Sequence, residues 1–161
     1  MVGVVAGTML PVRQWLHWQI PWSRDHDSEL ILRHANDPSV RHPVDVTRTI
    51  DGDTFEARMH LEGGFDITTR VRLRGIDAPE LKAACPQELQ MAGAASSALR
   101  RLLDGGDVTI YNIGPDKYNG RVVADAATRR IDNVSAALIA SGHVRRYGGG
   151  HRSGWCAGTS R

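Results

Sequence analysis

The chain has 161 residues, with 20 Lys+Arg against 18 Asp+Glu and a formal charge of +2. A hydrophobic fraction of 41% beside 24% charged residues is enough for a real core, which excludes collagen, coiled coil and disorder throughout. The charge is unevenly spread, because from Ser141 onward there are four arginines (Arg145, Arg146, Arg152, Arg161) and no acid. Arginine outnumbers lysine eighteen to two. Genome base composition would produce that bias, and so would a demand for the guanidinium fork, which grips phosphate oxygens in pairs. The two cysteines lack the spacing of a zinc knuckle or redox pair, and no two histidines stand at metal-ligand spacing on a helix. No Walker loop, dinucleotide fingerprint or Gly-x-Ser-x-Gly elbow occurs, which removes most common cofactor enzymes.

In chain order, residues 1–22 open with an apolar run too short to cross a bilayer and continue into Trp15, Trp18 and Trp22. Such a cluster reads as a membrane-proximal segment with an interfacial collar, or alternatively as aromatic packing on a globular domain. Residues 23–42 are polar, mixed in charge and aperiodic, which reads as a linker. A folded domain is expected over 43–157, with 158–161 as a tail. Within it, Val44–Ile50 and Thr54–Leu61 are strand-like runs separated by the turn signal Asp51-Gly52-Asp53. Ile67–Ile76 alternates, with Val71 and Leu73 on one face and Arg70, Arg72 and Arg74 on the other. Pro86 and Glu88 open a helix whose Leu89, Ala92, Ala95, Leu99 and Leu102 form one stripe, closed by Gly105-Gly106. Val108–Ile113 and Val122–Ala126 are further strands, and a short helix near Asn133–Ser141 ends before Gly142. These elements predict an α+β fold built on a small mixed barrel.

Three segments concentrate chemistry: Asp51-Gly-Asp53-Thr-Phe55, Arg72-Leu-Arg-Gly-Ile-Asp77-Ala-Pro-Glu80 and Asp116-Lys-Tyr-Asn-Gly-Arg121. Singly each has a structural explanation: a turn, a helix start with Asp77 as N-cap, and a polar loop. Together they supply two carboxylates able to hold a hard cation, a third able to take a proton from water, and two arginines able to neutralise a phosphoryl group.

The order of these segments, followed by Asn…Leu…Gly, resembles the staphylococcal nuclease-like (thermonuclease) family, and the resemblance spans Val44 to Cys156. It implies a five-stranded OB-fold β-barrel with two to three helices, and a calcium-dependent endonuclease acting on DNA and RNA. An inactive OB-fold nucleic-acid-binding module is the alternative. By the same resemblance the calcium carboxylates fall on Asp53 and Asp77 with a carbonyl ligand at Ala78. The glutamate base falls on Glu80, and the phosphate-binding arginines on Arg72 and Arg121. Lys117, Tyr118 and Tyr147 look like nucleotide contacts, while Arg70, Arg74, Arg145 and Arg146 are candidates for backbone tracking. Two departures stand out: Asn119 lengthens the loop before Arg121 by one residue, and Ala78 replaces the commoner threonine. The tail Gly154-Trp-Cys156 is similar to that of bacterial members in which a disulfide pins the C-terminus. This implies a Cys85–Cys156 bridge and a location outside the cytoplasm, against the alternative of two buried thiols. No protein partner is implied.

Overall fold

The structure, a computed structural model, describes residues 24–157, so the tryptophan-rich 1–22 segment and the 158–161 tail lie outside it. Helix α1 (Arg24–His34) is followed by β1 (His42–Pro43), β2 (Asp45–Thr49), β3 (Thr54–Leu61), β4 (Phe65–Leu73) and β5 (Ile76–Asp77). Helix α2 (Pro86–Leu103), β6 (Thr109–Pro115), β7 (Arg121–Ala127), helix α3 (Val134–Ala140) and β8 (Arg145–Arg146) complete the chain. Six strands form one sheet in the order β1-β6-β7-β4-β3-β2, and β5 pairs with β8 in a second. The ladder is not a closed ring. One continuous segment nevertheless bonds to both of its sides, β1 to β6 and β2 to β3. The expected five barrel strands are thus six, because the first is broken at Val44, whose N–H turns to the Val108 carbonyl (3.0 Å). The fold is α+β and OB-like.

The inward positions of the strands are Phe55, Ala57, Met59, Ile67, Val71, Leu73, Ile110, Val122 and Ala124, as period-two alternation requires. Helix α2 seals the barrel with Ala98, Leu99 and Leu103, and α3 with Val134 and Leu138. The α2 stripe is displaced from expectation. Ala92, Ala95 and Leu99 are buried, but Leu89 is 52% exposed and Leu103 replaces Leu102 as the deepest residue of the last turn. The helix starts at Pro86 with Cys85 as N-cap, not at Asp77, which is committed to β5. Asn133 caps α3 by accepting from the Ala136 N–H (2.8 Å), and Gly142 leaves it at φ +76°, the left-handed exit that glycine permits.

The segment read as a linker contains α1, which packs against β4, β6 and β7 and places Ile31 fully in the core. Its sequence, RDHDSELILRH, clusters the apolar residues in one run instead of spacing them at a helical period, so only tertiary packing reveals the buried side. No helix among the described residues is long and apolar enough to cross a membrane.

On the outer face of the sheet, His60 of β3 bonds Asp45 of β2 through Nε2 (2.7 Å) and Asp66 of β4 through Nδ1 (2.6 Å). The bonds to Asp45 and then Asp66 hold the imidazole above its ordinary 6.5. A folded value raised in this way contributes stability that is complete below about 6.5 and is lost as pH rises through the folded value. We expect NMR titration to find His60 above 6.5 and His60→Gln to remove that pH dependence. A His60 midpoint at or below the free-imidazole value would show that the three-strand tie does not form in solution.

Candidate active site

The β2–β3 turn is pressed onto helix α2. A Cβ at Gly52 would stand 2.6 Å from the Ala95 Cβ and 2.9 Å from the Ala78 Cβ, so glycine here answers to close approach. The turn is closed by Asp51, whose Oδ1 accepts from the Asp53 N–H (3.1 Å). It leaves Asp53 only 7% exposed, one residue before β3. The Asp53 carboxylate accepts from Thr54 Oγ1 (2.8 Å) and the Ala78 N–H (3.3 Å), and it lies 3.1 Å from Arg72 Nη2. Burial pushes this carboxyl up to about 6 against the pull of Arg72, and Asp51 adds to the rise. One guanidinium does not compensate the buried charge.

Arg72 stands opposite Thr54 on β3 and Val123 on β7. It is buried, although strand alternation sets it against the apolar face, because the chain after β4 folds back over it. Gly75 turns at φ +76°, and the Ile76 carbonyl returns to accept from both Nη1 and Nη2 (3.2 Å each). Arg121 opens β7 beside Arg70 in the parallel β4–β7 register. The extra residue Asn119 is absorbed in a turn whose Gly120 sits at φ +71°, so Arg121 still enters the strand. Asp116 grips it at both ends, from Nε (2.7 Å) and Nη2 (3.2 Å), and its guanidinium lies 4.7 Å from the Tyr118 ring centre. Burial raises the Asp116 carboxyl, but the Arg121 and Tyr118 N–H hydrogen bonds prevail and hold it below its ordinary range.

Asp77, on β5, is 1% exposed. Its Oδ2 accepts from Arg145 Nε (3.1 Å) and Nη2 (2.8 Å). Its Oδ1 lies 3.1 Å from Arg152 Nε yet has no aligned hydrogen bond. Arg152 Nη1 also donates to Glu80 Oε1 (2.7 Å). Glu80 is positioned through its backbone. Its N–H donates to Glu88 Oε1 (3.3 Å), and the Ala84 N–H donates to Glu88 Oε2 (2.8 Å). Glu88 is buried in the first turn of α2, beside the Cys85–Cys156 disulfide.

Asp53, Arg72, Ala78, Glu80, Lys117, Tyr118 and Arg121 line one cavity of about 730 Å³, together with Asp51, Arg70 and Arg152. Asp77 lies behind its wall and reaches it through Arg152. Tyr147 borders an adjoining cleft of about 550 Å³ that shares Arg72, Lys117, Arg121 and Arg152 with the cavity. Its hydroxyl donates to the Gly150 carbonyl (2.7 Å). Two arginines expected to face nucleic acid are turned inward: Arg74 donates to the Asn112 and Val123 carbonyls (2.7 and 3.2 Å), and Arg145 is held by Asp77. Reasoning from sequence missed Asp116 as the holder of Arg121, Glu88 as the anchor of Glu80, and the approach of Arg145 and Arg152 to Asp77. The only signal for the last was the acid-free C-terminal stretch.

A family profile described as staphylococcal nuclease homologue matches residues 70–152, more than half of the chain, from Arg70 on β4 to Arg152. The chain belongs to that family. A search of curated proteins returned no match. Nuclease homologues of this kind imply a divalent cation, and the residues present fit one. Asp77 Oδ1 is a buried oxygen without a hydrogen bond, and Asp53 is a buried carboxylate that Arg72 leaves undercompensated. The donor set is all oxygen, as hard cations prefer.

Because the Gly52 contact is with backbone-borne methyl groups that cannot swing aside, Gly52→Ala must move the turn or the helix. We expect a loss of about 1–3 kcal/mol in chemical denaturation. An unchanged midpoint and slope would show that the turn does not press on α2 as described.

Proposed function

We propose that this protein is a metal-dependent phosphodiesterase that cleaves DNA and RNA internally, with calcium as its cofactor. The observation that carries the reading is the convergence of Asp53, Glu80, Arg72 and Arg121 on one cavity, with the Asp77 carboxylate immediately behind it. Asp53, Asp77 and the Ala78 carbonyl would hold the cation, which when bound supplies positive charge to a phosphate oxygen. Glu80, the most exposed of the acids at 55% of its side chain, would, once released by the Arg152 Nη1 that donates to it, take the proton of a water that attacks phosphorus as the P–O bond to the leaving oxygen breaks. Arg72 and Arg121 stand ready to neutralise the charge that grows on the phosphoryl oxygens. Both are oriented in advance, by Ile76 and Asp53 in one case and by Asp116 in the other, so little reorganisation accompanies the transition state. Lys117 and Tyr118 lie on the same wall and would contact neighbouring phosphate and sugar, while Tyr147 in the adjoining cleft offers a ring for a base. A preference for single-stranded substrate belongs to the same reading. The Cys85–Cys156 bridge supports a location outside the cytoplasm, and association with a membrane through 1–22 belongs to the same reading.

Incubation with single-stranded DNA and RNA should give cleavage with calcium and none with chelator. Arg72→Ala and Arg121→Ala should each lower turnover about 10²–10³-fold while changing substrate affinity far less. Tight binding without cleavage, insensitive to chelator, would favour the inactive OB-fold module instead.

A further inference from the structure

The two arginines on Asp77 are not equivalent. Arg145 is built in: besides its pair of bonds to Oδ2 it donates to the Ser153 and Gly154 carbonyls, and the Trp155 ring centre lies 4.1 Å away. Arg152 is held by one hydrogen bond, to Glu80 Oε1 (2.7 Å), by the charge of Asp77 and by the Tyr147 ring, 5.5 Å from its guanidinium. It bridges Asp77 Oδ1 and Glu80 Oε1, the assigned cation ligand and the assigned base. The fields of Asp77, Asp53 and Glu80 all fall on it.

We propose that Arg152 is an internal cation that competes with the divalent metal for Asp77 and Glu80, so that the C-terminal strap sets the metal affinity of the site and the availability of the base. The proposal rests on the reading of Asp53 and Asp77 as a cation site. A divalent ion touches carboxylate oxygens at about 2.3–2.6 Å, so at Asp77 Oδ1 it would stand close beside the Arg152 Nε that lies 3.1 Å from the same atom. Like charges that close together repel, and the burial of Asp77 strengthens that repulsion at its carboxylate. The strap can release Arg152 without unfolding. Residues 145–147 are fixed by β5–β8 pairing and by the Tyr147 N–H to the Gly75 carbonyl (2.9 Å), and beyond Arg152 the Ser153 and Gly154 carbonyls are held by Arg145 and Cys156 by its disulfide. Between these anchors run Gly148, Gly149 and Gly150, the last two at φ +102° and +87°, a backbone with little side-chain constraint on its rotation. Arg145 keeps one positive charge on Oδ2 throughout, so displacement of Arg152 exchanges one cation for another and leaves no buried charge alone.

Calorimetric titration of calcium into the full chain and into Arg152→Gln tests this directly. We expect the variant to bind calcium about tenfold more tightly, with Arg152→Lys between the two, because a lysine keeps the charge but loses the fork. In the unaltered protein, the Arg152 Nε–H resonance should shift as calcium saturates. Equal or weaker calcium binding by Arg152→Gln, or an Arg152 resonance indifferent to saturating calcium, would overturn the competition while leaving the metal reading intact. Absence of calcium binding in both proteins would overturn the metal reading and the competition with it.

Discussion

Asp77 is a carboxylate with almost no contact with water, and the pairing its burial demands organises the C-terminal third of the site. Arg145 answers it from β8 and, with its remaining donors and its flat face, gathers Ser153, Gly154 and Trp155. The strap that results delivers Cys156 to Cys85. One buried charge therefore ties β5, β8 and residues 153–155 into a single unit.

The same device recurs around the cavity. Arg72 is set by Asp53, Arg121 by Asp116, and Arg152 by Asp77 and Glu80. Each acid fixes the direction of a long side chain that would otherwise sample many rotamers, and this ordering is present in the protein alone. The pairs differ in how fully they are balanced. Asp116 is satisfied by two hydrogen bonds from Arg121, whereas burial leaves Asp53 short of positive charge. That imbalance sets Asp53 apart from Asp116, whose partner balances it and which orients Arg121.

Glu80 depends on a different kind of support. Its side chain is open to solvent, but its backbone is held by the buried Glu88 carboxylate at the start of α2, next to the disulfide. Helix α2 thus acts at two points. Its first turn fixes Glu80, and its Ala95 receives the Gly52 turn that aims Asp53. The Gly52 turn has no room for a side chain against Ala95, so the position of Asp53 follows the seating of this helix.

The strands, the last helix with its Asn133 cap and Gly142 exit, and the motifs bearing Asp53, Arg72, Asp77, Glu80 and Arg121 were legible in the chain, because period-two alternation, turn chemistry and capping are local properties. Helix α1 was not, since its apolar residues are contiguous and only the barrel wall selects Ile31 for burial. Nor was the partnership of Asp77 with Arg145, 68 residues away, or the hold of Asp116 on Arg121. Sequence by itself determined which residue types stand at strand ends and turns. Which charges face one another was decided only when β5 met β8 and the strap closed, because a pairing between distant groups depends on backbone geometry that no local pattern encodes.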